Sequence, residues 1–164
     1  MKITVRPATR ADQPLLRNLM EFYLYDFSEF TEEDVDENGI YGYEYLDDYW
    51  AQTERHPFLI RVDDQPAGFA LVRALHAESG DVIYAISEFF VMRKYRDQGV
   101  GREAAYQIFD RFPGRWRVGE RRENRGAQIF WRKVIRDYTG GQFEELTHPR
   151  WDGPMQTFET PESE

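Results

Sequence analysis

The chain has 164 residues, 41 % of them hydrophobic and 16 % aromatic, enough for a single folded domain with a real core. A formal net charge of −9 argues against general nucleic-acid binding. The absence of cysteine excludes disulfides, thiolate metal sites and a cysteine nucleophile, and no stretch approaches the ~18 apolar residues of a membrane span. The N-terminal Met-Lys-Ile-Thr-Val-Arg-Pro lacks the apolar segment of a signal peptide, so a soluble, cytoplasmic protein is expected, with no membrane partner. The three histidines, His56, His76 and His148, are scattered beside turn signals, so no metal site is expected.

Lys2 to Arg6 alternates as a short strand that Pro7 ends. Thr9 or Asp12 then caps a helix carrying Leu15, Leu16, Leu19, Met20 and Tyr23 on one stripe. From Asn18 to Glu54 there is no lysine or arginine. Eleven acids fall between Glu21 and Asp48, with ten aromatics interleaved from Phe22 to Trp50. Simple acidic tails lack such aromatics, so this is a built surface. A loop around Asp34–Gly42 and a helix from about Tyr43 to Arg55 are expected. Phe58 to Val62 and Ala67 to Ala74 read as paired antiparallel strands around an Asp63-Asp64-Gln65-Pro66 turn. Val82 to Val91 reads as the next strand.

A short basic loop follows, with Gly99 and Gly101, and then a helical pattern of Ala104, Ala105, Ile108 and Phe109. A strand, a glycine turn and a helix start together make an anion site. Glycines allow close backbone approach, and the first-turn N–H groups have no partner inside the helix. Arg96 and Arg102 flank the turn and suit phosphate oxygens. Pro113-Gly114 stops this helix. Arg115 to Val118 is a short strand. Asn124 caps a last helix bearing Ala127, Phe130, Trp131, Val134 and Ile135. Phe143 to Leu146 and Met155 to Phe158 are two final strands. Residues 1–159 form one domain in this reading, and 160–164 an acidic, frayed tail.

Arg96-Asp97-Gln98-Gly99-Val100-Gly101 resembles the (Arg/Gln)-x-x-Gly-x-(Gly/Ala) loop of the GNAT superfamily, the N-acetyltransferases that use acetyl-coenzyme A. Ile3 to Asp12 is similar to that family's first strand and helix start. Asn124-Arg-Gly-Ala127-Gln-Ile-Phe130-Trp131 resembles its Asn-x-x-Ala-x-x-(apolar)-Tyr segment. The order of elements is also the family's, and only the 24–43 region is unfamiliar. The resemblance implies an α/β (α+β) fold with a mixed, mostly antiparallel central sheet flanked by about four helices. It implies that Phe90, Val91, Arg96, Asp97, Gln98, Gly99, Val100, Gly101, Arg102, Asn124, Ala127 and Trp131 face acetyl-coenzyme A. The co-substrate's pyrophosphate is then expected on the glycine loop. Trp131 departs from the pattern: relatives carry a tyrosine there that protonates the departing thiolate, and an indole cannot. Tyr138, just past this helix, is the substitute candidate.

Acetyl transfer needs a neutral amine, and a lysine-like amine ordinarily titrates near ~10.4, so a base helps. Glu88, a carboxylate inside an apolar strand, is the candidate base, on condition that it faces the site; a bulge in its strand would decide that. A free N–H near Phe90 or Val91 would serve the developing oxyanion. The expected partner is a small, cationic primary amine drawn by the acidic segment, and a homodimer is compatible with the reading. Two rivals stand beside it. Gly99-Val-Gly101-Arg-Glu-Ala104 also matches a dinucleotide fingerprint, with Glu120 at the ribose position. Loss of the family tyrosine at Trp131 would also suit a non-catalytic module that binds acetyl-coenzyme A.

Overall fold

The computed structural model describes residues 1–162. Seven strands form one sheet in the order β1-β2-β3-β4-β5-β7-β6, where β1 is Ile3–Pro7, β2 Arg55–Val62, β3 Gln65–His76, β4 Val82–Val91, β5 Arg115–Gly119, β6 Glu144–His148 and β7 Trp151–Glu159. Every neighbouring pair is antiparallel except β4 and β5, which run parallel on either side of helix α3, Val100–Arg111. A single parallel pair in an antiparallel sheet removes the dinucleotide reading, which requires a doubly wound parallel sheet.

Alternation along the strands divides the core in two. Phe58, Ile60, Ala70 and Val72 face α3 and α4, the latter spanning Arg125–Thr139. Leu59, Phe69, Leu71 and Phe90 face α1, Gln13–Thr31, which buries Leu16, Leu19, Met20 and Tyr23. Helix α1 runs eight residues beyond its apolar stripe and ends at Glu32, which takes a left-handed φ of 58°.

The helix expected over 43–55 is a correction. Only Asp48–Ala51 is helical (α2), and 43–50 winds instead through successive i→i+3 backbone bonds. The residues anchored inward, Tyr43, Leu46 and Tyr49, recur every three positions, which is the period of a 3₁₀ winding and not of an α-helix. Arg55 accordingly starts β2, paired with Arg73 of β3. The expected tail falls partly outside the described residues. Thr160 itself exchanges two hydrogen bonds of 2.8 Å with Gly114.

Candidate active site

Strands β4 and β5 pair only over Ile83–Ile86 and Arg115–Val118. Beyond Ile86 they part, so the last five residues of β4 have no strand on that edge. The gap opens into a cleft of about 530 Å³, walled by Phe89, Phe90 and Val91 of β4, Arg96, Asp97 and Gly101 of the glycine loop, and Asn124, Ala127, Phe130 and Trp131 of α4. Helix α1 closes the near side with Tyr23, Asp26, Phe27 and Phe30. The Met92 N–H is spent on the Ala67 carbonyl of β3. By strand alternation the Val91 N–H and C=O then point away from β3, toward the cleft. The Val91 carbonyl accepts from Arg96 Nε at 2.7 Å, as that direction requires.

The loop between β4 and α3 is shaped by two left-handed residues, Asp97 with φ 60° and Gly99 with φ 82°. Gly99 is the N-cap of α3, so the unpaired N–H groups of the first helical turn open at the loop. A Cβ on Gly101 would come 3.0 Å from the Phe130 ring, so a bare backbone lets α4 pack directly on the loop. Asn124 caps α4 through its carbonyl oxygen, which accepts from the Ala127 N–H at 3.1 Å; its amide NH₂ has no protein partner among the described residues. Trp131, 5 % exposed, stacks edge-on against Phe89 and Phe130 at the cleft wall. Of the residues expected to face the co-substrate, Phe90, Val91, Arg96, Asp97, Gly101, Asn124, Ala127 and Trp131 line this cleft together, while Gln98, Gly99, Val100 and Arg102 lie in the loop and helix start outside its lining.

Tyr138 is not brought to the cleft. It sits on the last turn of α4, packs on Tyr106, Phe109 and Phe158, and donates its hydroxyl to Asp110 at 2.6 Å. Burial, then that carboxylate, raises its pKa further.

Glu88 does not itself line this cleft; a bulge sets its direction. Leu71 of β3 lies opposite Glu88, and Val72 lies opposite Ile86, so Ser87 is the extra residue. The bulge turns Glu88 to the same face as Leu71, toward α1. There Glu88 accepts hydrogen bonds from the hydroxyls of Tyr23 and Tyr43, the latter at 3.4 Å. Burial pushes its pKa up to about 7, against the pull of those two hydroxyls and of the more distant Arg121. Tyr23 also lines the cleft, so Glu88 is joined to the cleft wall through the Tyr23 hydroxyl.

On the far side of Glu88 is a second cavity of about 610 Å³, lined by Tyr43, Tyr45, Tyr49, Ser87, Arg55, Arg73 and Arg117 among others. None of the eleven acids from Glu21 to Asp48 lines it. Asp26 pairs with Arg93 and Arg96 at the glycine loop, at 2.9 and 2.7 Å. Glu21 accepts from the N–H groups of Tyr41 and Gly42, Asp36 from those of Asn38 and Ile40, and Asp47 from Arg17 and Gln13. Sequence reading missed the tyrosine clamp on Glu88. Its signal was the α1 spacing of Tyr23, Asp26, Phe27 and Phe30, one face of a helix running past the core stripe.

The family model described as Acetyltransferase (GNAT) family matches residues 17–135, and the chain belongs to that family. No curated protein matches the sequence. Among solved structures, an acetyltransferase from Thermus thermophilus is similar with a TM-score of 0.70 at 16 % identity, covering 97 % of each chain. An aminoglycoside acetyltransferase from an uncultured soil metagenomic sample, in complex with sisomicin, is similar with a TM-score of 0.62 at 16 % identity over 91 % of this chain and 95 % of that one. Arabidopsis thaliana Naa50, in complex with a bisubstrate analogue of CoA and a peptide, is similar with a TM-score of 0.64 at 16 % identity over 96 % and 99 %. At these identities the likeness establishes the fold. No group of three or more His, Asp or Glu among the described residues could hold a metal ion, and no described helix is long and apolar enough to cross a membrane.

Proposed function

We propose that the protein is an N-acetyltransferase that moves the acetyl group of acetyl-coenzyme A to a small primary amine, with both substrates held at once. The observation that carries this is Glu88, a carboxylate of pKa about 7 that lines the second cavity and is bonded to Tyr23 of the cleft wall. A base of that pKa is half ionised at neutral pH, where it can accept a proton from an ammonium about to attack.

The cleft residues fit acetyl-coenzyme A. The α3 N-terminus with Arg96 and Arg102 suits its pyrophosphate, the open edge of β4 and the Asn124 amide suit its amide-bearing arm, and Phe130 and Trp131 supply an apolar wall. When bound it supplies an acetyl thioester, whose C–S bond breaks as the new C–N bond forms. The Val91 N–H donates to the carbonyl oxygen as charge grows there. The amine's proton goes to Glu88. No side chain is assigned to protonate the sulfur: Trp131 has no acidic proton, Tyr138 is committed to Asp110, and a thiolate of intrinsic pKa ~8.5 leaves unaided.

A non-catalytic module that only binds the co-substrate is the alternative, and turnover separates the two. Acetyl-coenzyme A should raise the melting temperature of the wild type, and NAD and ATP much less. Gly99→Asp, which sets a carboxylate at the α3 N-terminus, should abolish that rise; normal binding by this variant would overturn the assignment of the cleft. Coenzyme A release with a panel of amines should be seen for the wild type. Binding without release from any amine would favour the module.

A further inference from the structure

The second cavity has a charge pattern that the acetyl-transfer reading does not use. Arg55 of β2 lies directly opposite Arg73 of β3, Arg73 opposite Ala85 of β4, and Ala85 beside Arg117 of β5. Three arginines therefore occupy one row across four strands, on one face, and all three line the cavity. That face is the face of Glu88, because the Ser87 bulge brings Glu88 and Ala85, three positions apart, to the same side. None of the three arginines has a carboxylate within 4.0 Å among the described residues. Arg55 is held only by the Gln52 side-chain carbonyl and by the face of Tyr49.

Like charges directly opposite on a sheet oppose its stability, and a guanidinium cannot relieve them by losing its proton. A small residue, Ala85, sits in the middle of the row and leaves the space above it open. Beside it the Tyr49 hydroxyl is buried, in a residue 2 % exposed, close to Ser87 and within the field of Arg55 and Arg73. Two hydroxyls, of Tyr49 and Ser87, and three cations without a carboxylate partner around one space describe the complement of an oxyanion.

We infer that the Arg55–Arg73–Arg117 row is an anion subsite for the acceptor, so that the substrate is an amine carrying a carboxylate or phosphate group as well. The inference rests on the acetyltransferase reading for the word acceptor, but not for the subsite. The row lies three positions before Glu88 on β4, at most ~10 Å along the strand, which the reach of the arginine side chains shortens. An amine at Glu88 and an anion over Ala85 then fit one small molecule. The acidic segment of the sequence suggests a cationic acceptor. Its acids lie elsewhere, and the charges that line this cavity, Glu88 apart, are positive.

The test has two arms. In the first, wild type, Arg73→Gln and Arg117→Gln are melted in saturating coenzyme A, which occupies the phosphate loop. Sodium phosphate or sodium succinate is then added against sodium chloride at equal ionic strength. Phosphate or succinate should stabilise the wild type beyond chloride, and each variant should lose that excess; which salt acts more strongly tells phosphate from carboxylate. Equal shifts in all three proteins would overturn the subsite. In the second arm, coenzyme A release is measured with 4-aminobutanoate against 4-aminobutanamide, and with phosphoethanolamine against ethanolamine. The anionic member of a pair should have kcat/KM higher by about tenfold, mainly through KM, and Arg73→Gln should reduce the preference to about threefold or less. Turnover that ignores the anion and the arginines would overturn the subsite and leave the acetyltransferase standing. Salt-specific stabilisation without turnover of any amine would do the reverse.

Discussion

Glu88 owes its basicity to two opposed effects, of which burial is the larger: burial raises its pKa, and the hydroxyls of Tyr23 and Tyr43 lower it. The direction of each single substitution follows. Tyr23→Phe removes a donor to the ionised form, so the Glu88 pKa should rise above about 7 and the acid limb of the kcat/KM profile should move to higher pH. Glu88→Gln should remove that limb and lower kcat at neutral pH, with acetyl-coenzyme A affinity nearly unchanged; the loss should shrink as pH rises and more amine is already neutral. A Tyr23→Phe limb at unchanged pH would mean that the limb belongs to another group. From the sequence, Glu88 is nameable as a candidate because a lone acid in an apolar strand is conspicuous. Its orientation is not, since an inserted residue such as Ser87 leaves no mark in composition. Tyr138 fails as a candidate for a similar reason. Its position near the end of α4 suggests nearness to the site along the chain, while its packing on Phe109 and bond to Asp110 keep it out of the cleft.

At the next level up, α1 and the glycine loop are joined by Asp26, whose two oxygens reach Arg93 and Arg96. The carboxylate stands where it competes with a phosphate for Arg96. Arg96 is also held by the Val91 carbonyl, so its placement does not depend on Asp26 alone. Asp26→Asn should therefore tighten acetyl-coenzyme A binding by about 3–10-fold, measured by isothermal titration, with the gain shrinking in high salt. Weaker binding would show that Asp26 positions the arginine instead. The strands and α3 and α4 are legible within a few residues because their apolar spacing matches their final layer. The 43–55 segment is not, because its inward residues recur every three positions and short windings of that kind are easily taken for an α-helix. Charge counted along a chain says nothing of which face each group takes: Asp26, Asp36 and Glu21 bond neighbouring loops, while Arg55, Arg73 and Arg117, distant in sequence, meet on one row.

Taken as a whole, the sheet carries helices on both faces, and its far end has a second buried acid. Glu120, at the end of β5, is 3 % exposed; Gln156 of β7 donates to one of its oxygens at 2.8 Å, and the other has no partner among the described residues. Burial raises its pKa to about 8 against an ordinary value of 4.5, with Glu145 adding to the rise. The folded state therefore holds this proton where the unfolded chain has released it. The contribution is fully present below about pH 4.5 and is lost as pH climbs through about 8. Glu120→Gln removes the ionisable group and keeps an acceptor for Gln156. It should stabilise the fold at pH 8.5 by about 1–3 kcal/mol and flatten the decline between pH 5.5 and 8.5, read by urea denaturation. An unchanged slope would place the titration elsewhere.

The parting of β4 from β5 also bears on inheritance. Much of what the cleft offers on that side is main chain: the Val91 amide, the first turn of α3, the left-handed bend at Asp97. Such groups are not encoded by any one codon, so, Glu88 apart, ordinary missense changes along Ser87–Val91 alter the wall and spare the donors. What they do not survive is a change of count. Loss or gain of a single residue there shifts every later amide to the other edge of the strand and turns Glu88 over with them. In a saturation library this stretch should tolerate exchange far better than insertion or deletion.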